Sequence, residues 1–181
     1  MDGRRRRLLV RFPADATHRA RELKLISFDV DGVLTDGQLY YTDDGHEIKA
    51  FNVQDGAAIK LLLDHGIEVA ILTGRSSPMV ARRAQELGIT HLHQGLAEKR
   101  PVLAKLISEL ALVPDEVCHV GDDLADLEVF ADVGLAISVP NGHPVVQRRA
   151  HFVTRTAGGA GVAREIAELV LRAKAVWPYD V

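Results

Sequence analysis

The hydrophobic and polar positions of the chain follow two patterns, short apolar runs and longer stretches with helical spacing. Four predominantly apolar runs, each bounded by turn residues, lie at 25–28, 67–72, 117–120 and 135–139. Runs of this length are typical of buried strands. Between the runs, apolar residues recur three and four positions apart, as Val80, Ala84 and Leu87 do before Gly88, and this spacing predicts helices.

The order of these elements predicts an α/β fold. Helical spacing also marks the segments before Gly66, before Pro114 and after Gly161, so that predicted helices alternate with predicted strands. Such alternation gives a parallel sheet covered by helices on both faces. We therefore expect a Rossmann-like three-layer α/β/α domain, in which ligands bind beyond the carboxyl ends of the strands.

One segment departs from the alternation of strands and helices. Residues 38–42 and 47–51 are strand-like and flank the turn residues Asp43, Asp44 and Gly45. Two strand-like runs around such a turn predict a β-hairpin. We expect this hairpin, at about residues 38–51, to project from the loop that follows the first strand.

The size of the chain indicates a single folding unit. It has 181 residues, of which 47% are apolar and 26% charged, the balance of an ordinary globular domain. We expect one domain over residues 23–174. Residues 1–22 contain no recognisable motif and are predicted to form a mobile N-terminal extension, and residues 175–181 a short C-terminal tail.

Charge and cysteine content narrow the possible functions. The chain has 22 Lys and Arg against 25 Asp and Glu, a net charge of −3, which excludes a broadly basic nucleic-acid binder. The basic run from Arg4 to Arg7 precedes only three apolar residues, too few for a signal-peptide core, and neither export nor a membrane span is predicted. The single Cys118 cannot form an intrachain disulfide, which favours the cytoplasm.

Two groups of carboxylates follow two predicted strands, at the point where each strand ends. The first group consists of Asp29, Asp31 and Asp36, and the second of Asp122, Asp123 and Asp126. Clustered carboxylates repel one another, so they imply a bound cation, a shared proton or a solvated loop. Because the carboxyl ends of parallel strands lie at one edge of the sheet, we expect the two groups to be close together.

A hydroxyl group and cationic side chains are predicted at the same edge. Thr73 and Arg75 follow the run at 67–72, and Lys99 opens the predicted helix that carries Leu103 and Leu106. Carboxylates hold hard cations such as Mg²⁺, and Thr and Lys can bind phosphoryl oxygens. Phosphoryl transfer requires this combination of groups.

The four motifs, in this order, resemble those of the haloacid dehalogenase superfamily: Asp29 and Asp31, then Thr73, then Lys99, then the acidic run at 121–126. The resemblance extends over about residues 24–174. It implies that Asp29 attacks phosphorus, that Asp31 is the general acid and base, that Thr73 donates to the phosphoryl group, and that Lys99 pairs with both Asp29 and the phosphate. It also implies that Mg²⁺ is held by Asp29, by the backbone carbonyl of Asp31 and by Asp122.

The spacing of the motifs leaves no room for the cap domain that covers the site in many members of the superfamily. Within the superfamily, the capless 3-deoxy-D-manno-octulosonate 8-phosphate (KDO 8-phosphate) phosphatases are the most similar, through the runs at 29–37, 49–56, 88–92 and 158–165. This resemblance implies an enzyme of lipopolysaccharide sugar biosynthesis. It further implies a homotetramer that is assembled by the hairpins, in which each subunit closes its neighbour's site.

The same resemblance implies a set of residues that contact a sugar-acid phosphate: Asp31, Asn52, Val53, Gln54, Asp55, Gly56, Lys60, Arg75, Arg83 and Lys99. Arg suits a sugar acid because its planar fork matches a carboxylate. Two of these residues have other interpretations, since Arg83 could be a solvated helix charge and Asp55 could begin a helix.

Three alternative functions remain open from the sequence. A phosphatase of a sialic-acid 9-phosphate would need few changes in the substrate contacts. A noncatalytic oligomerisation module is disfavoured because every catalytic position is filled. A phosphomutase is disfavoured because it usually needs a cap that excludes water, and none is predicted here.

Overall fold

A computed structural model describes residues 12–179. Its main sheet has six parallel strands: β1 (Leu25–Phe28), β4 (Glu68–Leu72), β5 (His91–His93), β6 (Val117–Val120), β7 (Leu135–Ser138) and β8 (Phe152–Val153). Their order across the sheet is β5-β4-β1-β6-β7-β8. The four predicted strands are confirmed, and β5 and β8 extend the sheet at its edges.

Within residues 12–179, seven α-helices surround the sheet. They are α1 (Ala14–Ala20), α2 (Val53–Asp64), α3 (Pro78–Leu87), α4 (Arg100–Glu109), α5 (Leu127–Phe130), α6 (Pro144–Arg149) and α7 (Val162–Ala173). Pro78 occupies the first turn of α3, and Gly88 ends that helix in the left-handed conformation at φ 79°. Both features agree with the sequence, because Pro needs no donor in a first turn and Gly tolerates positive φ.

Side chains of the central strands alternate between two apolar cores, one on each face of the sheet. In β1, Ile26 and Phe28 enter the core that holds α1, α2, α3 and α7, whereas Leu25 enters the core that holds α4, α5 and α6. Alternation follows from the two-residue period of a strand. The predicted three-layer α/β/α architecture is therefore confirmed.

The register of the central strands brings their carboxyl ends level. Phe28, the last residue of β1, pairs with Ile71 of β4 on one side and with Val120 of β6 on the other. Residues that directly follow these three strands therefore emerge at the same edge of the sheet. This is the edge at which the sequence predicts the chemistry.

The predicted hairpin is present but its ladder is short. Strands β2 (Tyr40–Tyr41) and β3 (Glu47–Ile48) pair antiparallel, with Tyr40 opposite Ile48. Four apolar or aromatic side chains of this segment are exposed: Leu39, Tyr40, Tyr41 and Ile48.

The N-terminal extension contains a helix that the sequence did not predict. Residues 14–20 form helix α1, and its two fully buried residues, Ala16 and Ala20, belong to the core that includes α7. Small residues four positions apart lie on one face and let two helices approach closely. Helix α1 therefore packs against the domain. Mobility of residues 1–22 stays a prediction, and the basic run from Arg4 to Arg7 lies outside the described residues.

The described part of the C-terminal tail also contacts the domain. Trp177 lies 5.5 Å from the Arg172 guanidinium at the end of α7 and meets the Tyr179 ring edge-on at 5.3 Å.

The domain boundaries near residues 22 and 174 remain predictions. Over residues 12–179, none of the helices is both long and apolar enough to cross a membrane.

Candidate active site

Asp29 is the first residue beyond β1, and the local backbone holds it at the sheet edge. Its N–H donates to the carbonyl of Val120 at 2.9 Å, which continues the parallel ladder by one residue. The chain then leaves the sheet in a tight turn over Val30–Leu34, in which Gly32 has a φ of 96°. Such a φ favours glycine, so the sequence Asp29-Val30-Asp31-Gly32 is suited to this turn.

A buried ammonium group joins the two acidic segments. Lys99 Nζ lies 2.8 Å from Asp29 Oδ1 and 2.6 Å from Asp126 Oδ1. Lys99 is only 5% exposed and Asp126 only 1%. Burial alone would lower the pKa of Lys99, but the charges of Asp29 and Asp126 outweigh it and raise this pKa. Lys99 is therefore a fixed cation beside the predicted nucleophile.

Asp126 is held by four donors. Its Oδ1 accepts from Lys99 and lies 2.9 Å from His119 Nε2, and its Oδ2 accepts the backbone N–H groups of Asp122 at 3.0 Å and Asp123 at 3.1 Å. Burial raises the pKa of a carboxyl group, but the bonds and charges from His119 and Lys99 hold the pKa of Asp126 well below its usual range. Both of its oxygens are thus occupied by the protein itself.

Asp122 has the opposite environment. Its Oδ1 is buried and has no hydrogen-bond partner among the described residues. Burial, followed by the negative charges of Asp29, Asp126 and Asp123, raises the pKa of Asp122 to about 8. An unpartnered buried carboxylate oxygen is costly unless a cation or proton joins it.

These carboxylates have the chemistry of a divalent-cation site. Asp29, Asp122 and Asp126 each offer an oxygen, and the three oxygens lie within 4.8 Å of one another. Because Asp126 is saturated by protein donors, Asp29 and Asp122 are the side chains free to bind an ion. Carboxylate oxygens of this kind are the ligands that Mg²⁺ prefers, so the residues present fit that metal.

Asp31 lies in a network of charges that reaches the hairpin. Its carboxylate pairs with Lys49, whose side chain is almost fully buried, and lies 3.7 Å from Arg75 Nε. Glu47 completes the network, with Oε1 at 2.8 Å from an Arg75 nitrogen and 3.7 Å from Lys49 Nζ. Strand β3 and its continuation thus contribute two charged side chains to the edge of the site.

A cleft of about 340 Å³ opens over these groups. Its lining includes the predicted catalytic residues Asp29, Asp31, Thr73 and Lys99, the predicted ligand Asp122, and Arg75. Thr73 directly follows β4 and is buried, with its N–H bonded to the carbonyl of His93 at 3.1 Å. The four motifs that the sequence separates are therefore brought to one cleft.

The remaining predicted substrate contacts lie outside this cleft, around the start of α2. Asn52 caps α2 by accepting the Gln54 N–H at 2.8 Å, and Gly56 packs against Arg83. The side chains of Val53, Gln54 and Lys60 are exposed. Within one chain, the predicted substrate set is thus divided into two groups.

Asp55 belongs to the second group and bonds to α7. Its Oδ1 accepts the N–H of Ala163 at 2.7 Å, near the start of that helix, and burial raises the pKa of Asp55 to about 6. Its other oxygen has no partner among the described residues. The structure therefore gives Asp55 a contact with α7 in addition to its place in the first turn of α2.

The glycine-rich segment before α7 joins the two groups. A β-carbon on Gly158 would stand 1.8 Å from the carbonyl oxygen of Gly32, so the segment packs directly against the turn that carries Asp31. At its other end, the carbonyl of Gly159 accepts from Asn52 Nδ2 at 3.3 Å. Asn141 supports this packing by donating to the Gly32 carbonyl at 2.8 Å and accepting the Gly158 N–H at 2.7 Å.

Sequence reasoning missed several supporting residues. His119, Lys49, Glu47 and Asn141 received no role, although each contacts a predicted site residue or the turn around it. Lys49 and Glu47 carried a weak signal, since they alternate along the second hairpin strand and so lie on one face. His119 carried the signal of a polar residue inside an apolar strand.

The fold and the four groups at the sheet edge define a haloacid dehalogenase-like hydrolase. The family model for haloacid dehalogenase-like hydrolases matches residues 92–166. The 3-deoxy-D-manno-octulosonate 8-phosphate phosphatase KdsC of Escherichia coli (strain K12) is 47% identical over 161 residues, 89% of this chain and 86% of that protein. The phosphatase KdsC of Yersinia pestis is 44% identical over 88% of this chain and 86% of that protein. The chain belongs to this family of KDO 8-phosphate phosphatases.

Solved structures agree with this assignment. The KDO 8-phosphate phosphatase of Moraxella catarrhalis, crystallised with magnesium ion, phosphate ion and KDO, superposes with a TM-score of 0.87 at 43% identity, covering 89% of this chain and 92% of that one. The cobalt-bound phosphatase of Haemophilus influenzae has a TM-score of 0.86 at 37% identity, covering 90% of this chain and 96% of that one.

Proposed function

We propose that this protein is a Mg²⁺-dependent phosphatase that hydrolyses KDO 8-phosphate through an aspartyl-phosphate on Asp29. The observation that carries the proposal is the pairing of Asp29 with buried Lys99 at a cleft that also holds Asp31, Thr73 and Asp122. Family membership supports the substrate, because magnesium, phosphate and KDO are the groups bound in the Moraxella catarrhalis relative.

The proposed first step is attack of Asp29 on phosphorus. Burial raises the pKa of Asp29, although the charge of Lys99 acts against this rise. The Asp29 carboxylate therefore needs positive charge close to it to remain ionised. Lys99 supplies part of this positive charge, and Mg²⁺ would supply the rest. Asp29, the backbone carbonyl of Asp31 and Asp122 would hold the Mg²⁺, which supplies positive charge that offsets repulsion between the nucleophile and the phosphate.

Asp31 is proposed to protonate the leaving sugar alkoxide and then to activate water against the phosphoenzyme. A group in this role must carry a proton in one step and lose it in the next. Thr73 donates its hydroxyl to a phosphoryl oxygen, and Lys99 stabilises the charge that develops there. Dividing hydrolysis into two displacements makes each step easier.

Arg75 is proposed to bind the sugar-acid portion of the substrate. Its guanidinium is about half exposed at the cleft, and Glu47 fixes its orientation. A planar guanidinium can bind a carboxylate through two parallel bonds. The remaining proposed contacts, at Asn52 to Gly56, Lys60 and Arg83, would serve the site of a neighbouring subunit.

We also propose a homotetramer that the hairpins assemble. The exposed side chains Leu39, Tyr40, Tyr41 and Ile48 support this, because a cluster of exposed apolar groups on a projecting hairpin suits a symmetric contact between copies.

We propose a cytoplasmic location, which the single buried thiol of Cys118 supports.

The experiment that tests the proposed function is a substrate panel. Phosphate release is measured with KDO 8-phosphate, a sialic-acid 9-phosphate and five- to seven-carbon sugar phosphates, each with Mg²⁺ and with a chelator. The proposal expects the highest kcat/KM for KDO 8-phosphate and loss of turnover in the chelator. Preference for the nine-carbon acid, or no hydrolysis of any substrate by the folded protein, would contradict it.

A further inference from the structure

We propose that His119 is a positioning residue for the divalent-cation site and that it acts through Asp126; the choice of Mg²⁺ as the cation rests on the proposed function. His119 lies in β6 and is fully buried, so its imidazole has no access to solvent or to a substrate in the cleft. Its polar contacts are therefore internal. They form a chain that leads from the sheet to the backbone around Asp122.

Both ring nitrogens of His119 have a partner. Nε2 lies 2.9 Å from Asp126 Oδ1, and Nδ1 lies 2.8 Å from the hydroxyl of Ser27 on the neighbouring strand β1. A carboxylate oxygen can only accept a hydrogen bond, so in the bond between His119 and Asp126 the proton is on Nε2 of His119. The ring cannot rotate without losing both bonds, and it therefore fixes the position of Asp126 Oδ1.

Fixing Asp126 also fixes the backbone that carries the proposed metal ligand. The second oxygen of Asp126 accepts the N–H groups of Asp122 and Asp123. Gly121 lets the carboxylate approach this closely, since a β-carbon there would stand 2.2 Å from Asp126 Cγ. The orientation of Asp126 thus sets where the Asp122 main chain, and with it the unpartnered Asp122 Oδ1, lies.

Asp126 Oδ1 accepts from two side chains that differ in rigidity. Lys99 Nζ is shared between Asp29 and Asp126, and its flexible stem does not by itself fix the position of this oxygen. The His119 ring, which is held at both nitrogens, approaches the same oxygen from a fixed position. Residues that orient a ligand through one intermediate typically change metal affinity by about 10- to 100-fold when they are removed.

A purely structural role is the competing explanation, because the His119 ring also packs edge-on against Phe130, with ring centroids 6.0 Å apart. The two explanations differ in what they require of a substitute. A packing role needs a side chain of suitable shape, whereas a positioning role needs an N–H donor at the place of Nε2. The Gln amide nitrogen extends about as far from the backbone as His Nε2, and the Asn amide does not.

The test measures Mg²⁺ binding itself, by calorimetry on the full-length protein, and compares wild type with His119→Gln, His119→Leu and His119→Asn. Urea unfolding in a chelator measures the stability of each metal-free variant separately. We expect His119→Leu and His119→Asn to weaken Mg²⁺ binding by about tenfold or more and His119→Gln to bind within about threefold of wild type. Should His119→Leu fail to fold, His119→Asn provides the comparison with His119→Gln.

Two results would overturn the positioning role. One is wild-type Mg²⁺ affinity in a folded His119→Leu or His119→Asn protein, and the other is an equal loss of affinity in His119→Gln and His119→Leu. Failure of the proposed function is a separate result. In that case wild type and variants follow the expected order of Mg²⁺ affinity, yet wild type releases no phosphate from KDO 8-phosphate.

Discussion

Gly32 and Asp122 approach each other so closely that a β-carbon on Gly32 would stand 2.0 Å from Asp122 Oδ2. Gly32 follows the first acidic motif and Asp122 belongs to the last, so two segments 90 residues apart in sequence meet at this contact. The contact explains why a glycine follows Asp31. A side chain there would displace the carboxylate that we propose as a metal ligand.

The first prediction concerns Gly32→Ala. Alanine at this position would clash with Asp122, and its side chain would be strained at a φ of 96°. We therefore expect the free energy of unfolding to fall by about 1–3 kcal/mol and phosphatase activity to be lost. Urea unfolding and phosphate release measure the two effects. The control is Gly45→Ala at the hairpin tip, where φ is 84° but the space is open. Equal activity in the two variants would contradict a role for the close approach.

The second prediction concerns Lys99→Met. The substitution leaves Asp29 and Asp126 buried without their shared cation, and breaking a buried ion pair on one side typically costs about 3–5 kcal/mol. We expect this loss of stability in urea, with loss of turnover. Lys105→Met, which removes an exposed lysine from the same helix, should cost less than about 0.5 kcal/mol. Equal stability of the Lys99→Met and Lys105→Met proteins would contradict the buried ion pairs of Lys99 with Asp29 and Asp126.

The third prediction concerns pH. In the metal-free protein the pKa of Asp122 is raised to about 8 from an ordinary value of 3.8, so the folded state retains a proton across this range that the unfolded state has lost. The free energy of unfolding in a chelator should therefore fall as pH rises from about 6.5 to 8, above the range in which His93 and His151, whose pKa values burial lowers, act in the opposite direction. Asp29 and Asp55, whose pKa values burial also raises, act in the same direction.

Saturating Mg²⁺ should remove this trend, because Asp122 is then ionised in both the folded and the unfolded state. Binding requires the ionised carboxylate, so it releases a proton below pH 8, and apparent Mg²⁺ affinity should rise with pH up to that value. Urea unfolding with chelator and with Mg²⁺ over this range measures both effects. In Asp122→Asn the metal-free trend should be flatter. A metal-free stability that rises between about pH 6.5 and 8 would contradict the described environment of Asp122.

The fourth prediction concerns assembly. Ile48→Glu places a charge in the exposed apolar cluster of the hairpin, and we expect it to dissociate the proposed tetramer, as measured by light scattering after size-exclusion chromatography. Val113→Glu changes an equally exposed apolar residue away from the hairpin and should leave the tetramer intact. A monomeric wild-type protein, or an unchanged Ile48→Glu tetramer, would contradict assembly through the hairpins.

The sequence predicted the sheet and the meeting of the motifs because both depend on simple periodic rules. Short apolar runs identify parallel strands, and residues that follow such strands must share an edge. Asp29, Thr73 and Asp122 could therefore be placed together from the sequence alone. The family resemblance implied the pairing of Lys99 with Asp29, whereas its pairing with Asp126, 27 residues away, required the tertiary structure.

The features that escaped prediction have weak local signals. Helix α1 is short and buries only two alanines in the core that it shares with α7, so it lacks the wide apolar stripe that usually reveals a helix. The pairing of Lys49 with Asp31 depends on how the hairpin folds back over the site, which spacing along the chain does not determine.

The central claim, covalent catalysis by Asp29, is tested most directly by locating the phosphoryl group on the protein. Asp31→Asn protein is mixed with KDO 8-phosphate and Mg²⁺, quenched in acid and mapped by mass spectrometry, because loss of the proposed base should slow hydrolysis of the intermediate. We predict a phosphoryl group on Asp29 and none after the same treatment of a variant that also carries Asp29→Asn. Phosphorylation of another residue, or turnover that survives Asp29→Asn, would contradict the account.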